Sequence, residues 1–391
     1  MKAKKSVKLF ISLVLATIIL FLSALYIYDP LQVFHKHWNR DNTLSRNMRQ
    51  QVLGMVKHYD YDSIIIGSSQ LENTSAKETS EKLGGKFINI SISGSDYYER
   101  AIVMNYVLEK KKIKTAIYSL DNLGKTRKGH PKYPPDTFDY LYDANPFNDF
   151  NVYLNDKYIN CLMTFSTKTK CIGHKLDFDR PKAWYKEKRH KARFGGLENW
   201  FKGKNSYKAI SQYKKISNIA SKVKNNEKVS NKNIDKQIVK AQEYVNVNIL
   251  NIIREYPNTE FILVLPPDPR IRFAMVAQYN ISKFEIYKAM IRYIVKQNGT
   301  LANLKLFGWE DKVFLDDIAN YKDTKHYSHK INSWMLDAIS REEGFLTPSN
   351  VEEYLNIITE KAITFDLVGF GQKIDTYLNN MPYPESKSKS K

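Results

Sequence analysis

The chain has 391 residues, a formal net charge of +20 and only two cysteines. Its length is sufficient for one large α/β domain with an insertion, or for two domains. The two cysteines, even with the nearby His174, supply too few ligands for a metal site, and the basic balance points to polyanionic partners.

The N-terminus predicts a membrane anchor. Leu9 to Tyr28 carries no charge and, at about 20 residues, is long enough to cross a bilayer core as a helix. Four lysines precede it, so the positive-inside rule places the N-terminus in the cytoplasm and the main domain outside. A cleaved signal peptide is the alternative, but the long apolar run favours a retained single-pass anchor in the cell membrane.

An exported domain meets an oxidising compartment, which favours a disulfide between Cys161 and Cys171; two free thiols are the alternative. Between Asn151 and Lys240 there are 22 Lys or Arg and 7 Asp or Glu, an excess of +15. Such a charge attracts an anionic cell-envelope polymer, an acidic glycan or the bacterial membrane, and topology argues against nucleic acid. A merely solvated lysine-rich face is the other interpretation.

Short apolar runs rich in β-branched residues predict parallel strands separated by helices. The predicted strands are Asp62–Ile66, Lys86–Ile92, Ala116–Leu120, Phe261–Leu265 and Leu304–Phe307. The predicted helices run from Ser75 to Leu83, from a cap at Ser95 or Asp96 to Lys112, and over Ile234–Tyr256, Ser282–Gln297 and Ser328–Ile339. This alternation indicates an α/β fold whose sheet is covered on both faces.

The pattern divides the chain into six parts. The irregular, basic stretch 124–232 is expected to be a partly helical insertion that lies over the sheet as a lid. Phe34 and Trp38 are expected to be exposed near the membrane, and a polar tail from Glu385 is expected to be disordered. The parts are the anchor at 1–28, a juxtamembrane segment at 29–60, the α/β domain at 61–123 and 233–345, the insertion at 124–232, and a helical appendage with the tail at 346–391.

Polar residues follow the predicted strands at the edge where parallel sheets place their active sites. Gly67-Ser68-Ser69 ends the first strand. The glycine permits a sharp turn, and a serine at a following helix N-terminus would lie among amide N–H groups that stabilise an oxyanion. Alone, the tripeptide fits an ordinary strand-to-helix turn equally well.

A carboxylate stands three residues before a histidine near the end of the predicted fold. Asp323 could hold His326 in one tautomer, which is what a general base needs. His329 is a rival base without that spacing, and a polar surface turn is the non-catalytic interpretation. A serine, a histidine and an aspartate together are the parts of an activated nucleophile.

Two further strand ends offer groups for an oxyanion hole. Gly94, after the second strand, has an unhindered backbone N–H, and Asn122, after the third, has an amide side chain.

In this order the pieces resemble the SGNH/GDSL hydrolase superfamily. They are similar to its membrane-anchored bacterial branch, which includes the D-alanyl transfer protein of teichoic-acid modification and the alginate-type O-acetyltransferases. The resemblance covers about Asp29 to Ile339. It implies a flavodoxin-like three-layer parallel sheet, and an acyl-exporting membrane protein as partner.

Carried over by position, the resemblance makes Ser69 the nucleophile, with Asp323 and His326 completing the catalytic set. It places the oxyanion hole at the N–H groups of Ser69 and Gly94 and the side chain of Asn122. The third block departs from the family, because Asp121 stands where an oxyanion-hole asparagine is expected, and a carboxylate there would repel an oxyanion.

The expected activity is a two-step acyl transfer or ester hydrolysis that requires no metal and no organic cofactor. The expected substrate is an acyl ester, such as an O-acetyl or D-alanyl ester, of an extracytoplasmic glycan or polyol polymer. A non-catalytic scaffold in an envelope-polymer assembly complex is the alternative, and Asp121 favours it.

Overall fold

In the computed structural model, residues 2–38, 40–175, 178–200, 202 and 206–380 are described. Five parallel strands form the sheet, in the order β2-β1-β3-β4-β5. They are β1 (Ser63–Ile66), β2 (Phe87–Asn89), β3 (Thr115–Ser119), β4 (Glu260–Val264) and β5 (Leu304–Phe307). The prediction of an α/β fold with a parallel sheet is confirmed.

The central strands are buried on both faces, as their unbroken apolar sequences require. In β1, Ile64 and Ile66 face one apolar core, and Ile65 faces a second core on the opposite side of the sheet. Ile64 pairs with Ile88 on one side and with Ala116 on the other. Helices therefore cover both faces, and the carboxyl ends of the strands meet at one edge.

The first eight helices lie before and within the predicted insertion. They are α1 (Lys2–Tyr28), α2 (Met48–His58), α3 (Ala76–Leu83), α4 (Tyr97–Lys110), α5 (Asp156–Leu162), α6 (Thr169–Ile172), α7 (Lys188–Lys191) and α8 (Ser206–Lys224). The predicted anchor is the single helix of the described chain that is long and apolar enough to span a membrane, over Lys4–Tyr28.

The remaining helices follow the insertion. They are α9 (Ile234–Val245), α10 (Asn251–Glu255), α11 (Arg270–Gln278), α12 (Ile281–Asn298), α13 (His329–Ser340), α14 (Val351–Thr364) and α15 (Leu367–Asn380). A π-helical turn at Asn246–Leu250 joins α9 to α10, so the predicted helix over Ile234–Tyr256 is interrupted. The predicted disordered tail lies outside the described residues.

The helix boundaries follow from their capping residues. The Ser75 hydroxyl accepts a hydrogen bond from the Glu78 amide at the start of α3. Asp96 begins α4 with a reciprocal capping box to Glu99, so Asp96 and not Ser95 is the cap. Ser328 caps α13.

The segment after α1 is more ordered than its sequence indicated. Phe34 is half-buried, with its ring centroid 4.3 Å from that of Phe150, so the prediction that it is exposed is wrong. Trp38 is exposed, as predicted. The helix α2, which the sequence did not predict, is buried along most of its length.

Cys161 and Cys171 form a disulfide, so the alternative of two free thiols is wrong.

Candidate active site

Ser69 lies at the carboxyl edge of the sheet, three residues after β1. The chain forms a series of turns from Ser69 to Asn73, and helix α3 begins only at Ala76. The expectation that the serine lies at a helix N-terminus is therefore wrong. Gly67 is required by close packing, because a Cβ atom there would lie 2.6 Å from the Ser119 hydroxyl.

Asp323 and His326 occupy a tight loop that precedes α13. The Asp323 carboxylate accepts hydrogen bonds from the backbone N–H groups of Lys325, at 3.0 Å, and His326, at 2.9 Å. These bonds fold the loop back on the aspartate side chain. The three-residue spacing therefore brings the carboxylate and the imidazole of this loop together.

The structure brings the three predicted residues into one relay. The Ser69 hydroxyl lies 2.8 Å from Nε2 of His326. On the other side of the ring, Nδ1 lies 2.8 Å and 3.0 Å from the two carboxylate oxygens of Asp323. With the ring proton on Nδ1, Nε2 is free to accept the serine proton, which is the arrangement of a serine activated by a general base.

The electrostatics keep the aspartate ionised. Burial alone would raise the pKa of Asp323, but the His326 imidazole and the Lys322 ammonium hold that pKa well below its usual range. Arg193 adds a guanidinium nitrogen 3.8 Å from the carboxylate. A fixed negative charge at this position stabilises the imidazolium that forms when the serine loses its proton.

The rival serine and histidine make other contacts. Ser68 is 5% exposed, and its hydroxyl accepts a long hydrogen bond from the Gln70 amide. The ring of His329 stacks on Tyr185 at a centroid distance of 4.1 Å. Among the described residues, Ser69 and His326 are therefore the serine and histidine that meet at this edge.

A cavity of about 290 Å³ beside Ser69 is also lined by Gly94 and Asn122. Gly94 has a φ of +68°, a left-handed conformation that glycine adopts without strain. Neither the Ser69 amide nor the Gly94 amide donates to another group in the described part of the chain. The cavity therefore has two backbone N–H groups available for an oxyanion.

The side chains after β3 are arranged differently from a simple oxyanion hole. The Asn122 amide oxygen accepts a hydrogen bond from Lys325 Nζ at 2.8 Å. Asp121 is buried and lies 3.1 Å from a guanidinium nitrogen of Arg100, which is itself fully buried. This ion pair neutralises the carboxylate, so the charge that the sequence placed beside the oxyanion is largely compensated.

Trp184, from the insertion, is a site residue that sequence reasoning missed. Its indole N–H donates to the backbone carbonyl of Ser69 at 2.9 Å. Its ring meets the His326 ring edge to face, with centroids 5.6 Å apart. The single available signal was the presence of a tryptophan in a polar, basic segment, which does not indicate what the ring contacts.

Lys322 is a second missed residue. Its ammonium lies 3.3 Å from the centre of the Trp184 ring and 3.1 Å from Nδ1 of His190. Burial lowers the pKa of Lys322 to about 7, although the neighbouring Asp323 opposes that shift. Burial and the nearby Lys322 also lower the pKa of His190 to about 4. The insertion and the catalytic loop thus share one buried electrostatic cluster.

A groove of about 850 Å³ runs past Ser69 and His326. Seven lysine or arginine side chains line it, against three carboxylates. Two of the carboxylates belong to Asp323 and to Glu187, which already pairs with Arg46 and Arg189. The groove therefore presents an excess of positive charge beside the nucleophile.

Within the described residues, no group of three or more His, Cys, Asp or Glu side chains is placed to hold a metal ion.

Comparison of the chain with protein families, with curated proteins and with solved structures finds no match.

Proposed function

We propose that this chain is a membrane-anchored serine acyltransferase or esterase of the SGNH type. The observation that carries the proposal is the relay in which Ser69 Oγ lies 2.8 Å from His326 Nε2 and Asp323 holds Nδ1. The strand order β2-β1-β3-β4-β5 is that of flavodoxin-like sheets, and it supports the same assignment.

In the proposed reaction, His326 takes the proton of Ser69 while Oγ attacks the carbonyl carbon of an acyl ester. The N–H groups of Ser69 and Gly94 stabilise the oxyanion, and His326 then protonates the departing alcohol. A hydroxyl of the acceptor, or water, attacks the acyl-serine in the second step. His326 removes its proton and returns a proton to Ser69, so that the enzyme is restored.

The proposed setting is the outer face of the cell membrane. The four lysines before the apolar helix support an N-terminus in the cytoplasm. The excess positive charge in the groove supports an anionic glycan or polyol polymer of the cell envelope as the acyl acceptor. An acyl-exporting membrane protein is the proposed source of the acyl group.

Labelling with a fluorophosphonate tests the nucleophile, because this probe reacts with activated serines. The purified full-length chain is treated with the probe, and the modified residue is mapped by mass spectrometry. Ser69→Ala and His326→Ala are expected to abolish labelling. The matched controls Ser68→Ala and His329→Ala are expected to keep it. A folded wild type that is not labelled would refute the proposal and favour the scaffold.

Product analysis separates transfer from hydrolysis. An acyl ester is incubated with the wild type, with and without a polyol acceptor, and the acylated acceptor and free acid are measured. A product that forms on the acceptor identifies a transferase, and free acid alone identifies an esterase.

A further inference from the structure

The folded domain packs against one face of the last two turns of helix α1. Leu25 and Tyr28 are buried, and Phe21 and Leu22 pack partly against the same core. Residues 9–20, by contrast, are exposed at every position.

The uncharged part of the helix that is exposed, residues 9–20, is too short to cross a bilayer alone. Its twelve residues span about 18 Å at 1.5 Å per residue, whereas the hydrocarbon core is about 30 Å thick. Including residues 21–28, which the domain covers on one face, brings the apolar length to about 30 Å. If the helix spans in full, the domain surface around residues 21–28 reaches about 12 Å into the outer leaflet.

The helix end is fixed to the domain and cannot extend away from it as a free stalk. The Asp29 carboxylate is fully buried and accepts hydrogen bonds from the backbone N–H groups of Val33 and Phe34, each at 2.8 Å. The Tyr28 hydroxyl donates to the carbonyl of Ser166 at 2.6 Å. The depth of the domain is therefore set by the depth of the helix.

The surface next to the helix end carries large exposed apolar side chains. Met163 is 75% exposed and Phe165 is 54% exposed. Both lie within the loop that the Cys161–Cys171 disulfide closes, and the Phe165 ring is 5.8 Å from the ring of Tyr28.

A third large apolar side chain approaches the helix from another segment. Trp38 is 64% exposed, and its ring lies 6.2 Å from that of Tyr26. Together with Leu22, Ile27 and Phe150 these rings line an open concavity of about 380 Å³ against the helix. Tryptophan and tyrosine favour the membrane interface, where an apolar ring meets lipid and its polar tip meets water.

We propose that the folded domain is seated in the outer leaflet through a collar formed by Trp38, Met163 and Phe165. The occupant of this surface is bilayer lipid, because the collar is continuous with the membrane-spanning helix and the length of that helix requires it. Lys168 and Lys170, exposed a few residues after Phe165, are placed to meet phosphate head groups. The proposal rests on α1 spanning the membrane and is independent of the catalytic activity.

Photo-crosslinking in proteoliposomes of phosphatidylglycerol and phosphatidylethanolamine tests this proposal. Benzoylphenylalanine is introduced singly into the full-length chain at positions Met163 and Phe165. Val313, which is 72% exposed at the start of a 3-10 turn after β5, is the matched control. Leu13, within the apolar helix, reports whether the helix is in lipid at all.

The expected result is several-fold more lipid adduct at positions 163 and 165 than at 313, with strong adduct at 13. Adduct at 13 with only the control level at 163 and 165 would refute the collar. No adduct at 13 would refute the span on which the collar depends. Crosslinks between two chains in place of lipid adducts would assign the surface to a second copy and also refute the proposal.

A measurement on Trp38 needs no crosslinking side chain. Brominated lipids are expected to quench part of the tryptophan fluorescence of the wild type, and Trp38→Phe is expected to remove that part. Equal quenching in the two proteins would count against the collar.

Discussion

Lys322 is expected to contribute to the pH dependence of this protein's stability, and Lys322→Met is expected to remove that contribution. The ammonium is buried against Trp184 and beside His190, and burial lowers its pKa from 10.5 to about 7. In the unfolded chain the same group is in water and keeps its ordinary pKa. The two states therefore bind different numbers of protons over a defined range of pH.

The sign and size of this pH dependence follow from the difference in bound protons between the folded and unfolded states. Between about pH 7 and about pH 10, the unfolded chain holds a proton on Lys322 that the folded chain has lost. Raising the pH then favours the folded state, by about 1.4 kcal/mol per pH unit. Because Lys322 is half deprotonated near pH 7 in the folded state, the contribution from about pH 7 to about pH 9 is about 2.3 kcal/mol. Below about pH 6 both states hold the proton, and the contribution no longer changes.

The assay is denaturant unfolding of the detergent-solubilised full-length chain at several pH values. The difference in unfolding free energy between wild type and Lys322→Met is expected to rise with pH over this range. Lys330→Met is the matched control, because Lys330 is exposed at the start of α13. Parallel pH profiles for wild type and Lys322→Met would refute the reasoning.

Three further substitutions have defined outcomes. Asp323→Asn is expected to lower kcat for ester cleavage by about 10³–10⁴-fold, because the amide no longer holds the catalytic imidazole in the required tautomer; near-normal kcat would exclude its proposed role. Arg100→Met leaves the Asp121 carboxylate buried without a counter-charge, so unfolding free energy is expected to fall by about 3–5 kcal/mol. A fall of less than about 1 kcal/mol would show that the Arg100–Asp121 ion pair is not needed for stability. Replacing Cys161 and Cys171 with serine opens a short loop and is expected to remove about 3 kcal/mol, measured by denaturant unfolding against the oxidised wild type.

The sheet and the hydrogen-bonded relay of Ser69, His326 and Asp323 were predictable because both follow from local sequence and one rule of topology. Apolar, β-branched runs predicted all five strands, and parallel strands bring their carboxyl ends to one edge. That rule placed Ser69 near His326, although 257 positions separate them. The Asp323 spacing was informative because the loop folds back on that side chain.

What the sequence could not predict depends on contacts between distant segments. Helix α11 has no apolar stripe, because its residues are buried on several sides, so its sequence lacks a helical period. Nothing in the local sequence distinguishes Arg100 from any other helix residue. Its ion pair with Asp121 depends on the fold. Trp184 reaches Ser69 across 115 positions, and no local pattern records that contact.

Residues of the predicted insertion contact the candidate site directly and do not merely cover it. Trp184 donates to the carbonyl of Ser69 and contacts the His326 ring, while Arg193 lies 3.8 Å from Asp323. Lifting Trp184 away would leave a carbonyl of the nucleophile's own turn without its donor, at a cost of about 1–3 kcal/mol. It would also expose the ring against which Lys322 packs. In the proposed reaction, a polymer acceptor would therefore reach Ser69 along the groove of about 850 Å³, with Trp184 kept in place.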